Sequence, residues 1–148
     1  MSRHEVNIIA TIISTALVFA IYWVKMHQMY QGGMFNTADT ASLVGKAILL
    51  LIVVQIAVNI VIRIASHILF YVTRGEDEPD LEDERDKLIE LRGLRISFFV
   101  LSGGFILSMI ALAVGQPIFL VFNLIIFSFT VGDMTGNALK LHHYRRGF

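Results

Sequence analysis

The chain has 148 residues, 55% of them hydrophobic, with only two prolines and a positive mean hydropathy, which is too apolar for an ordinary soluble domain of this length. Twelve basic and twelve acidic residues cancel to a net charge of zero, but acids crowd one loop while Arg and Lys mark the ends of apolar runs; this is a membrane-topology pattern and speaks against direct nucleic-acid binding. With no cysteine, disulfides, thiolate metal sites and thiol catalysis are excluded.

The first uncharged run, Val6 to Val24, is 19 residues long. That exceeds the roughly 7 to 15 residues of a signal-peptide core, and no small-x-small cleavage site follows. We therefore expect a retained first span over about 5 to 27. The connection after it, MHQMYQGGMFNTADT, is weakly charged and carries a Gly-Gly pair. It reads as an irregular interfacial loop, with Tyr22, Trp23 and Tyr30 anchoring span 1 at headgroup level.

A second apolar run centred on Ala47 to Ile62 predicts a span over about 42 to 73. Beyond it lies RGEDEPDLEDERDKLIELRG, Arg74 to Gly93, which holds nine of the twelve acids. Gly75 suits a helix C-terminus. Asp80, after Pro79, is a good N-cap whose acidic neighbours meet the helix dipole favourably. Asp83 and Lys87 form an i,i+4 pair, and Leu81, Leu88 and Leu91 recur at helical spacing. The expectation is a short amphipathic helix between spans 2 and 3 that lies against the membrane or bundle and runs through Gly93 into span 3. Its acids suit a solvated connector, a docking surface for a basic partner formed by Glu82, Asp83, Glu84, Arg85 and Asp86, or a divalent-cation site. The last lacks the alternating Asp pattern of a calcium loop.

From Ile96 to Gly132 no charge occurs, a stretch long enough for two spans of roughly 20 residues each. Gly115-Gln116-Pro117 supplies the break, giving span 3 over about 94 to 114 and span 4 over about 117 to 141. Lipid-exposed backbone must satisfy its own hydrogen bonds and no period-two alternation appears, so the expected fold class is all-α, an integral-membrane four-helix bundle in one domain. Arg3, the five basic residues between spans 2 and 3, and Lys140, Arg145 and Arg146 lie on one side, which the positive-inside rule assigns to the cytoplasm together with both termini.

Ionisable groups inside a span are costly and are functional hypotheses by default. Gln55, Asn59, Arg63 and His67 fall four apart along span 2; Asn123, Thr130, Asp133 and Asn137 share a face of span 4; Asn7, Thr11 and Ser14 or Thr15 do so on span 1. Three such stripes should face one another. At 1.5 Å per residue, Asp133 lies about 10 Å from Lys140 and Arg63 about 16 Å from Arg74, depths that predict an intramembrane cluster of Asp133 with Arg63, Arg95, or both, flanked by Asn59 and Asn137. Such a cluster holds a bundle together, passes ions or protons, or binds an anionic headgroup. His67 with His142 and His143 raises a haem, but ligands so near the interface argue for no cofactor. Small residues Ser97, Ser102, Gly103, Gly104 and Ser108 signal close helix packing, within the chain or in a homodimer.

The run DERDKLIELRG, entering span 3 as LRISFFVLSGGFILSMIALA, and the span 4 ending FNLIIFSFTVGDMTGNALKLHHYRRGF resemble an uncharacterised family of small four-span bacterial membrane proteins. The resemblance covers the whole chain, with DERD and Gly132-Asp133 as its most specific parts, and implies a bacterial inner-membrane location with no assigned activity. Distantly similar small membrane proteins are linked with DNA-binding regulators. Four-span multidrug exporters differ in carrying a glutamate in the first span, where Val6 to Val24 has none.

No nucleophile, histidine and carboxylate grouping and no phosphate loop is visible, so a non-enzymatic protein is expected, with no cofactor and no metal. The leading expectation is an interaction or regulatory protein of the bilayer, dimeric, docking a basic cytoplasmic protein through the acidic helix. The alternative is a small ion or solute transporter using the Asp133 cluster; a cavity reaching Asp133 would favour it.

Overall fold

The computed structural model describes residues 3–35, 39–74 and 84–146. They form four helices, α1 (Arg3–Gln31), α2 (Thr40–Arg74), α3 (Glu84–Ala113) and α4 (Ile118–Arg146), each long and apolar enough to cross a membrane. At 1.5 Å of rise per residue, 29 to 35 residues extend about 44 to 52 Å, so every helix outruns a hydrocarbon core of roughly 30 Å. Apolar side chains such as Leu50, Val53, Leu94 and Phe98 remain exposed, as a lipid-facing surface requires.

Two helix ends share one device. Gly33 and Gly115 take φ of 70° and 78°, a left-handed conformation that glycine adopts without a Cβ clash. Around Gly33, Met34 N–H donates to Met29 O and Gly33 N–H to Tyr30 O; around Gly115, Gln116 N–H donates to Ala111 O and Gly115 N–H to Leu112 O. Both are Schellman closures that satisfy the last carbonyls of α1 and α3. Pro117, which cannot extend α3, then offers its carbonyl to Leu120 and Val121 and opens α4. Asp39 accepts from Leu43 N–H at the start of α2.

Side-chain contacts run α1 antiparallel to both α2 and α4, and α3 antiparallel to α4. We call the side of the two Schellman turns the hairpin end and the other the terminal end. Near the hairpin end, Tyr22, Met26, Val44 and Ile126 form a buried core. Phe119 closes it, its ring centroid 4.4 Å from Phe35 and 5.4 Å from Tyr30. Tyr22 thus turns its side chain into this core, where its sequence neighbourhood suggested a headgroup anchor. It is 7% exposed and donates its hydroxyl to Asn123 Oδ1 at 3.1 Å, because a phenol turned into an apolar core needs a partner. Trp23 and Tyr30 stay exposed.

Among the described residues α3 touches only α4. The seam is built of small residues: Gly93, Ser97, Gly104 and Ser108 on α3 against Ser128, Gly132 and Gly136 on α4. Without bulky side chains the backbones approach until a Cβ on Gly132 would lie 3.0 Å from Ser97 O. The serine hydroxyls bond back into their own helices, Ser97 to Gly93 O, Ser108 to Gly104 O and Ser128 to Leu124 O, so no polar group in the seam is left wanting. Of the small residues of span 3, Ser97, Gly104 and Ser108 serve this contact within the chain, whereas Gly103 is exposed and meets nothing within 4 Å.

The helix expected to run from the acidic segment through Gly93 into span 3 does so: α3 is unbroken from Glu84 to Ala113, and no separate short helix precedes it among the described residues. Gly93 does not break it because its bare face is packed against Gly136 O and the Lys140 side chain. The expected cap at Asp80, together with Leu81, Glu82 and Asp83, lies outside the described residues.

Candidate functional site: a polar cavity among three helices

Towards the terminal end the core stops and α1, α2 and α4 line an open cavity of about 980 Å³. Phe19, Leu51 and Ile126 floor it and belong to the packed hairpin end. Helical periodicity delivers its walls. Asn7, Thr11 and Thr15 repeat every four residues on α1, Gln55, Asn59 and Arg63 do so on α2, and Thr130, Asp133 and Asn137 follow on one face of α4. At the mouth Asp86 and Glu90 arrive from α3, and Lys140 and Tyr144 from α4. Lys140 Nζ is 3.7 Å from Glu90 Oε1, a partly exposed ion pair. Arg145 reaches Glu5 at 4.0 Å, joining the ends of α4 and α1.

Asp133 lies at the centre of a three-helix network. Thr15 Oγ1 donates to Asp133 Oδ2 at 3.4 Å, Gln55 Nε2 donates to Thr15 Oγ1 at 2.8 Å, and Asn137 Nδ2 donates to Asp133 Oδ1 at 3.1 Å. Asn59 Nδ2 is held by Gln55 O one turn earlier on α2. The carboxylate thus meets neutral donors, one on each oxygen, and remains exposed to the cavity. An ionised carboxylate offers about four lone-pair sites, so a ligand still finds acceptors there.

The expected ion-pair cluster is not what assembles. Among the described residues neither Arg63 nor Arg95 pairs with Asp133. Arg95 is exposed on α3 with its guanidinium 5.9 Å from the Phe99 ring, and α3 reaches the cavity only through Asp86 and Glu90. The physical reason is rotational: α3 docks on α4 through the Gly93–Ser97 face, two positions round the helix from Arg95. Arg63 does line the cavity, but makes no ion pair there among the described residues. Asn7 Oδ1 is likewise buried without a hydrogen-bond partner among the described residues.

Other sequence-derived residues fall elsewhere. Asn123 is taken by Tyr22 and does not reach the cavity. His67 is exposed on α2, while His142 and His143 meet edge-on at 5.9 Å on the last turns of α4. Among the described residues no group of three or more His, Asp or Glu is placed to hold a metal ion. Of the docking surface, Glu84 and Arg85 are exposed and Asp86 turns toward the cavity. The sequence reading did not single out Lys140 and Glu90 as a pair at the mouth; spacing within one helix cannot register a contact between two. No family model, no curated protein and no solved structure matches the chain.

Proposed function

We propose that this is a non-enzymatic membrane protein that binds a small polar solute within the bilayer and passes it across, with Asp133 and Arg63 as the groups that meet the solute. One observation carries the reading: two opposite charges face a single cavity of about 980 Å³ without pairing to each other. Burying a charge in a membrane costs several kcal/mol, and an ion pair kept only to hold a bundle together would be closed on itself. Here the space between the charges is open, and its volume falls at the upper end of the roughly 300 to 1,000 Å³ of ligand pockets. The packed core at the hairpin end makes the cavity one-sided. The basic residues at the terminal end favour its facing the cytoplasm.

The chain has no cysteine, so a single introduced thiol is a clean reporter. Asn59→Cys, on the cavity wall, should react with a membrane-impermeant charged thiol reagent, whereas Leu50→Cys, on the lipid face, should not. Equal inertness of the two would defeat the reading. Flux of solute into proteoliposomes, lost in Asp133→Asn, is the complementary measurement. A second reading, docking of a basic cytoplasmic protein, is favoured by the exposure of Glu84 and Arg85 at the start of α3. It predicts copurification of such a partner, abolished by Glu84→Gln.

A further inference from the structure

We propose that the cavity is a two-point site for a zwitterionic solute, with an ammonium group seated at Asp133 and an oxyanion at Arg63. This rests on the solute-binding reading above and names the class of solute. Among the described residues Asp133 meets only neutral donors, the hydroxyl of Thr15 and the amide of Asn137. Arg63 has five donors and no carboxylate partner among the described residues. At the mouth, Lys140 and Glu90 answer each other at 3.7 Å, leaving Asp86 as the third carboxylate lining the cavity. A simple cation at Asp133 would leave the guanidinium unmatched, and a simple anion at Arg63 would leave the carboxylate unmatched. A solute bearing both charges matches both, and each matched charge removes part of the cost of holding its partner away from bulk water.

The surroundings sort the two ends. Phe19 lies one turn beyond Thr15 and Phe129 one turn before Asp133, and both line the cavity. Aromatic faces beside a carboxylate suit an organic ammonium, through cation–π attraction added to the ion pair. Toward the mouth the guanidinium offers the planar fork that carboxylates and phosphates accept in a bidentate manner. The bond from Gln55 to Thr15 sets the depth of Asp133 at Gln55, and Arg63 follows eight residues later, about 12 Å along the axis. The side chains shorten that span but do not close it. The ammonium and oxyanion should therefore be several bonds apart, as in an ω-amino acid or a phosphoethanolamine headgroup, and not on one carbon as in an α-amino acid.

Those two sources share the chemistry and reach the site differently, one from water at the mouth and one from the bilayer on the side where α2 and α3 do not touch. The full-length protein, purified in maltoside micelles, is titrated by calorimetry with 6-aminohexanoate, hexylamine, hexanoate and a short-chain phosphatidylethanolamine. Either zwitterion should bind about tenfold or more tightly than both single-charge probes, the margin of one charge-assisted hydrogen bond. The tighter of the two zwitterions identifies the source. Arg63→Gln should bring the zwitterion down to the affinity of hexylamine while leaving hexylamine unchanged. Asp133→Asn, an isosteric change, should bring it down to that of hexanoate.

Hexylamine binding as tightly as the zwitterions, indifferent to Arg63→Gln, would overturn the two-point site and leave the solute-binding reading standing. Failure of every probe to bind, with Asn59→Cys still labelled, would overturn the zwitterion alone. Failure of both measurements would remove the two readings together. Because the Arg63 side chain is exposed, unchanged thermal unfolding of Arg63→Gln separates a lost ligand contact from a lost fold.

Discussion

Replacing Gly136 by Ala tests how closely α3 and α4 must approach. A Cβ at that position would meet the Ser97 hydroxyl and lie 2.7 Å from the Gly93 carbonyl oxygen, with the Gly93 carbonyl carbon at 3.3 Å. Ser97 can rotate, but it then gives up its 3.1 Å bond to Gly93 O, worth about 0.5 to 1.5 kcal/mol. The Gly93 oxygen is backbone and can be relieved only by moving a helix by some tenths of an ångström. A gap of 0.5 to 1 Å forfeits about a quarter to a half of each dispersion contact it opens, and the seam extends from Gly93 to Ser108. Overpacking of this kind costs about 1 to 3 kcal/mol, against which Ala regains about 1 kcal/mol of helix propensity. The net expectation for Gly136→Ala is a loss of about 1 to 2 kcal/mol. Gly103 supplies the control, since a Cβ there meets nothing within 4 Å and Gly103→Ala should gain up to about 1 kcal/mol from propensity alone. Unfolding titrated with a denaturing detergent and followed by circular dichroism measures the difference. The midpoints should separate by the equivalent of about 1 to 3 kcal/mol with Gly136→Ala the weaker; equal midpoints, or a stabilised Gly136→Ala, would refute the close-approach argument.

At the hairpin end, Tyr22→Phe removes the donor to Asn123 Oδ1 and should cost about 0.6 kcal/mol, the average for hydrogen bonds between helices in bilayers, and no more than about 1.7 kcal/mol. The unique Trp23, one residue away, provides the fluorescence readout; a variant as stable as the parent would show that this bond contributes nothing. Met26 is 2% exposed within the core that floors the cavity, so Met26→Ala should destabilise by about 2 to 5 kcal/mol through the void it leaves. A measured loss below about 1 kcal/mol would mean the hairpin end repacks and cannot serve as a fixed seal.

The acidic mouth and the polar walls stand in different relation to the primary structure. Each wall is a property of one helix: a four-residue repeat puts Gln55, Asn59 and Arg63, or Asn7, Thr11 and Thr15, in line whatever else the chain does. The breaks are equally local. Gly33 and the Gly115-Gln116-Pro117 run carry their own hydrogen-bonded closures, and the expected end of span 3 and start of span 4 accordingly lie next to those observed. The run of α3 through Gly93 was legible as well, but the packing of Gly93 on Gly136 and Lys140, more than forty residues away, was not.

Amino-acid order alone therefore determines that four apolar helices form, where they stop, and which residues share a stripe, since hydropathy and periodicity are short-range properties of a helix with 3.6 residues per turn. Whether Asp133 meets a guanidinium or a hydroxyl depends instead on the rotation and separation of neighbouring helices. The small-residue seam draws α3 against α4 with Arg95 turned away, while beyond the bulky core at the hairpin end α1, α2 and α4 line an open cavity in which Arg63 and Asp133 stay apart. Those are outcomes of packing between segments distant in the chain, and only the assembled tertiary structure decides them.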